Sequence, residues 1–127
     1  MILSISLPDD VAAELDKLID RRGYKGRSEA IRAALAQFLK QQKQEEELHG
    51  TVNAVVVLGY PERAERAVSE LRHDHNEVVS SVLHAHTPKG QCATIMIADG
   101  PAERVRRLLS QLRGVRDISS VEATILK

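Results

Sequence analysis

Residues 2–7, ILSISL, alternate large apolar and other side chains with period two, the mark of a strand, and no comparable segment follows before Thr51. A lone strand has two edges without hydrogen-bond partners. The natural partner is the same strand of a second copy, so the two chains form a two-stranded ribbon. Leu3, Ile5 and Leu7 then share one face and Ile2, Ser4 and Ser6 the other. Pro8 ends the strand and suits a helix start, and Asp9 and Asp10 are favourable near a helix N-terminus. Val11, Leu15, Leu18 and Ile19 follow helical spacing. The segment Gly23-Tyr24-Lys25-Gly26 interrupts that helix, and Ser28 is the expected N-cap of a second one. Ile31, Leu35, Phe38 and Leu39 repeat the pattern before the polar QQKQEEE. One strand and two helices bury little apolar surface alone, which again points to a dimer.

Gly50 marks a boundary, so the expected domains are residues 1–46 and 50–127. After it come a buried strand (TVNAVVVLGY) and a helix (PERAERAVSELRHDH) with Ala64, Ala67, Val68 and Leu71 inward. Two strands follow, EVVSSVLHAH and QCATIMIAD, around a short turn at Pro88–Gly90. A helix (GPAERVRRLLSQLRG) and a last strand (VRDISSVEATIL) complete the chain. The order β-α-β-β-α-β is the ferredoxin-like pattern, and the fold class is α+β.

Composition excludes several functions. Net charge is zero and aromatics make up 2% of 127 residues, a poor inventory for stacking on single-stranded nucleic acid. No apolar run approaches a membrane span, the start is unlike a signal peptide, and one cysteine forms no internal disulfide. A cytoplasmic protein without membrane contact is expected. Charge is nevertheless uneven: residues 21–32 hold five basic side chains and one acid.

A two-stranded ribbon fits the major groove of double-stranded DNA, with alternate side chains toward base edges. The face available is Ile2, Ser4 and Ser6. Ser28 at the second helix's start, with Lys25 and Arg27 nearby, would hold backbone phosphate. Strand–helix–turn–helix with a ribbon dimer resembles the ribbon-helix-helix DNA-binding fold, and GYKGRSEAIR resembles its turn and second helix.

Residues 73–92 hold four of five histidines and the only cysteine. His84 and His86, two apart on a strand, share a face. With the turn near Lys89, His86 and Cys92 lie opposite each other, with Cβ atoms roughly 5 Å apart. His73, at the end of the preceding helix, is a candidate fourth ligand, available from another subunit. Three nitrogens and a thiolate suit Ni²⁺, Cu²⁺ or Zn²⁺, with geometry deciding among them. A cysteine nucleophile with a histidine base needs a pocket and an orienting group, and the sequence marks neither, so an enzyme is not expected. His75 and His49 read as ordinary structural or surface histidines.

Together GYKGRSEAIR and the pattern H(x10)HxH(x5)C resemble the NikR nickel-responsive regulators over essentially the whole chain. The resemblance implies an ACT-like second domain that tetramerises as a dimer of dimers. It implies one Ni²⁺ per chain, held by His84, His86 and Cys92 with His73 from a facing subunit. It implies repression of nickel-uptake genes through a palindromic operator. Thr94 stands where that family usually has Glu, Arg72 where Gln is common, Ala33 where an acid is frequent, and Ile2 where a basic residue often begins the ribbon face. The alternative is a regulator whose ACT-like domain answers to another metal or to a small molecule such as an amino acid.

Overall fold

The computed structural model describes residues 1–126 and divides into two compact units, Met1–Gln44 and a second beginning at Glu45. In the first, helix α1 spans Asp9–Arg22 and helix α2 spans Arg27–Glu46, its last two residues belonging to the second unit. Gly23 ends α1 in the left-handed region at φ 75°, and its N–H donates to the Ile19 carbonyl. Helix α2 starts one residue before the expected point, so Ser28 is its second residue and not its N-cap. The Glu29 carboxylate takes up the helix start instead, accepting the Lys25 backbone N–H at 2.5 Å.

Residues 2–7 carry no regular secondary structure in the single chain, contrary to the expected strand. The reason is physical: a strand exists by its ladder, and this unit offers no second strand. Ile2, Leu3 and Ile5 are exposed, as are Leu35, Phe38 and Leu39 on α2. Ala30 is the sole buried residue of either helix.

The second unit has strand β1 at Thr51–Pro61, a 3₁₀ turn at Glu62–Ala64 and helix α3 at Glu65–Asp74. Strands β2 (Val79–Thr87) and β3 (Gln91–Pro101), helix α4 (Ala102–Arg113) and strand β4 (Ser120–Leu126) follow. The sheet order is β2-β3-β1-β4 and every neighbouring pair is antiparallel. That is the expected ferredoxin-like arrangement. Several boundaries differ from expectation. Pro61 continues β1, so α3 begins late; Ala67 consequently faces solvent, while Ala64 and Val68 are buried. Residues 115–119 form a loop, with Asp117 in the left-handed region at φ 67°.

Register assigns the faces. Val52, Ala54, Val56, Leu58 and Tyr60 of β1 are buried, and so are Cys92, Thr94, Met96 and Ala98 of β3. They form the core with Val105, Leu108, Leu109 and Leu112 of α4 and Val68 of α3. The opposite face carries Val57, Ile95 and Leu83, paired in one row across three strands and all exposed. Helix α4 also holds the start of this unit: Arg113 donates two hydrogen bonds to the Glu45 carboxylate, at 2.8 and 2.9 Å.

Leu108 is fully buried. Leu108→Ala should destabilise the second unit by about 2–5 kcal/mol through lost burial and a residual cavity, read from the chemical denaturation midpoint. A shift well under 1 kcal/mol would mean α4 does not pack as described.

Candidate functional site

Two consecutive rows on the helix-facing side of the sheet build the site. One runs Tyr60–Cys92–His86 and the next Leu58–Thr94–His84, from β1 through β3 to β2. Period-two alternation along β2 puts both imidazoles on this side. The turn at Pro88–Gly90 sets the pairing of His86 with Cys92, and Lys89 and Gly90 adopt positive φ there (75° and 70°). One ligand atom from each of His84, His86 and Cys92 lies within 4.8 Å of the others. Cys92 Sγ is 3.7 Å from His86 Nδ1, and the two rings meet edge-on with centroids 4.9 Å apart. Cys92 is buried beneath the exposed histidines on edge strand β2, so the set opens toward the sheet edge.

His73 lies in the last turn of α3, exposed and outside this cluster. Within one chain the structure unites three of the four expected ligands. His75 is buried, its Nε2 2.5 Å from Gln111 Oε1, in keeping with a structural role.

Next to the cluster is a hydrogen-bonded group that sequence reasoning missed. Tyr60 Oη donates to Glu65 Oε2 at 2.6 Å and lies 2.7 Å from Thr94 Oγ1. Thr94 Oγ1 is in turn 2.9 Å from His84 Nδ1. Tyr60 sits at an inward position of β1, so its burial was legible; its link to Glu65 on α3 was not. A cavity of about 210 Å³ adjoins the group, lined in part by Glu65, Arg72, Val82 and His84.

Burial pushes the Cys92 thiol above its ordinary value, with Glu65 and then Glu62 adding to the effect. Burial and the bond to Glu65 likewise push the Tyr60 phenol up, with Thr94 opposing. Tyr60 therefore keeps its proton, and Cys92 gives up its own when a cation replaces it. Two imidazoles and a thiolate on a rigid sheet form a borderline-soft donor set, which fits nickel, copper or zinc.

In the first unit Ile2, Ser4 and Ser6 are exposed in the segment before α1, and Lys25, Arg27 and Ser28 are exposed at the start of α2. Arg27 is already engaged: its guanidinium donates to both Asp16 oxygens, at 2.9 and 2.8 Å, tying α2 to α1. That contact holds the Asp16 carboxyl below its usual value.

Residues 54–126 match the family described as the NikR C terminal nickel binding domain. The chain belongs to the NikR family. Residues 1–42 match the ribbon-helix-helix protein, copG family. A Haloarcula marismortui protein named "Putative nickel-responsive regulator" is 30% identical over 98% of this chain and 92% of its own length. Proteins of the same name from Methanococcus maripaludis and Methanocaldococcus jannaschii are 28% identical, over 98% of this chain and 90% of theirs. NikR proteins are transcriptional regulators and not enzymes. Among solved structures, an uncharacterized protein of Thermotoga maritima superposes with TM-score 0.57 at 16% identity, covering 61% of this chain and all of its own. The C-terminal domain of the MgtC protein from Mycobacterium tuberculosis gives 0.51 at 11%, covering 63% and 93%. Both likenesses concern the fold alone. No helix among the described residues is long and apolar enough to cross a membrane.

The raised thiol has a measurable signature. The folded state holds this proton more tightly than the unfolded chain does. Its contribution to stability is complete below the ordinary value of 9.0 and lost as pH rises above it. Iodoacetamide should therefore modify Cys92 of metal-free protein far more slowly at neutral pH than a small free thiol, accelerating only above that value. Alkylation as fast as the free thiol's would show that burial does not protect the sulfur.

Proposed function

We propose that this protein is a nickel-responsive DNA-binding repressor, most simply of nickel-uptake genes, acting in the cytoplasm as a homotetramer. Residues 1–46 form the DNA-binding domain, and residues 50–127 form the metal-binding and tetramerisation domain. His84, His86 and Cys92 ligate one Ni²⁺ per chain, and His73 comes from a facing subunit to complete the set. The carrying observation is the convergence of the His84, His86 and Cys92 donor atoms within 4.8 Å, in a chain whose second part matches a nickel-binding domain. Bound nickel would supply a fixed cross-link between subunits. The chain's own part is to present the imidazoles on an edge strand and the thiol beneath them.

DNA recognition follows from the first unit. Residues 2–7 of two copies pair as a ribbon, which accounts for an apolar segment left without a ladder in one chain. Ile2, Ser4 and Ser6 face base edges of a palindromic operator, while Lys25, Ser28 and the start of α2 meet phosphate. Arg27 contributes to backbone contact only as far as its Asp16 pairing allows. Operator half-sites lie at a fixed spacing, so a metal shared between subunits alters affinity by biasing where the two ribbons sit. The apolar row Leu83–Ile95–Val57 supports tetramerisation, since an antiparallel sheet with one such bare face needs a cover.

Anaerobic Ni²⁺ titration followed by absorption spectroscopy tests the metal site. Thiolate-to-nickel charge-transfer bands should saturate at one metal per chain and vanish in Cys92→Ala. His84→Ala should abolish nickel-dependent retardation of operator DNA. No such bands in the parent protein would end the nickel reading. Ile95→Glu on the bare sheet face should convert tetramers to dimers in light scattering, whereas an unchanged mass would place the interface elsewhere.

The cavity beside His84, with Glu65 and Arg72 in its wall, favours one second reading: a regulator that binds a small molecule such as an amino acid. An amino acid, and not nickel, would then change operator affinity.

A further inference from the structure

Glu65, Tyr60, Thr94 and His84 form a chain of contacts in which the protons can be counted. An ionised carboxylate only accepts hydrogen bonds, so the Tyr60 hydroxyl donates to Glu65 Oε2, at 2.6 Å. Tyr60 has one proton, and it is committed there. The 2.7 Å contact between Tyr60 Oη and Thr94 Oγ1 must therefore use the threonine proton. Thr94 in turn has none left for His84, and the 2.9 Å contact from Thr94 Oγ1 to His84 Nδ1 requires a proton on the imidazole. The opposite order would leave two hydroxyl oxygens 2.7 Å apart with no proton between them. Thr94 is buried, so water is poorly placed to intervene there. Glu65 Oε2 and Tyr60 Oη also lie 3.5 and 3.3 Å from the same His84 nitrogen, and both are acceptors toward it.

We propose that Glu65 is a positioning residue for the metal centre: through Tyr60 and Thr94 it holds His84 as the Nδ1–H tautomer, so that Nε2 is the ligand atom. The tautomer follows from the hydrogen-bond geometry and the proton count, and its consequence for nickel rests on the metal reading above. A ligating histidine needs its second nitrogen anchored by a donor bond, ultimately to a carboxylate or carbonyl. Here position 94, directly opposite His84 in the sheet, is a threonine without charge. The carboxylate comes from the first residue of α3 instead, two hydrogen bonds further back. The same chain fixes the ring plane, because Nδ1 is drawn toward the tyrosine and Nε2 is left pointing away from it.

Imidazole ¹H–¹⁵N correlation spectra of the metal-free, ¹⁵N-labelled full chain, with His84 neutral, read the tautomer directly. The parent protein should show His84 protonated at Nδ1, and protonation at Nε2 would overturn the proposal without any variant. Glu65→Ala should erase the preference and raise the nickel dissociation constant about 10–100-fold, the range typical of lost outer partners. Adding Thr94→Glu to that variant places a carboxylate directly opposite His84 and should restore both tautomer and affinity. An unchanged spectrum and affinity in Glu65→Ala would overturn the role of Glu65. If the parent protein binds no nickel, the metal reading fails while the spectrum still decides the tautomer.

Discussion

The pairing of β1 with β3 governs the second unit. Eleven residue pairs, from Thr51–Pro101 to Pro61–Gln91, put every second side chain against the helices. A slip of β1 by one residue would turn Ala54, Val56 and Leu58 outward and bring Val55 and Val57 in. Both sets are apolar, so alternation alone discriminates weakly here. Other groups decide the register. Tyr60 and Thr94 satisfy each other's hydroxyls only on the helix side. Gly100 lies against Val78, where an added Cβ would come within 2.7 Å of a methyl carbon. The His84–His86–Cys92 cluster inherits this choice, because Cys92 faces the same way as Tyr60 and Met96.

The first unit is governed by an opposite condition, a shortage of partners. Its two helices are tied by the Arg27–Asp16 pair and hold one buried residue between them. An exposed ion pair contributes little to stability. The apolar side chains of the leading segment and of α2 are thus left exposed within one chain, the surface that the ribbon proposed above would cover with a second copy. On that proposal, folding of this unit and assembly of the DNA-reading element would be a single event.

Much of this was legible in the residues because it is periodic. The β-α-β-β-α-β order, the hairpin at Pro88–Gly90 and the opposition of His86 to Cys92 follow from alternation and turn chemistry, and the structure reproduces them. Three things were not legible. The late start of α3 depends on Pro61 being carried along β1 by its pairing with Gln91, a non-local effect. The start of α2 depends on Glu29 reaching back to Lys25, which outcompeted the serine cap. The Glu65–Tyr60–Thr94–His84 group draws on four elements, α3, β1, β3 and β2, and no spacing rule links residues 60, 65, 84 and 94. The strand expected at residues 2–7 is of another kind: its pattern is present, but one chain offers no strand for it to pair with.

Charge near the site argues against Thr94 being a simple loss. A cation at His84, His86 and Cys92 meets neutral imidazoles and one thiolate, and a carboxylate one hydrogen bond away would lower the positive charge left over. Glu65 keeps such a charge at the site, 3.5 Å from His84 Nδ1, on a helix's first residue where the dipole also favours an anion. Arg72, another departure from the family pattern, lines the same cavity and lies within reach of Ser69, at 3.5 Å. A guanidinium there opposes a dication, and Glu65 lines the same cavity with the opposite charge. Helix α3 thus brings both a carboxylate and a guanidinium to the cavity beside His84, and in the arrangement proposed above the carboxylate is the group that anchors the histidine.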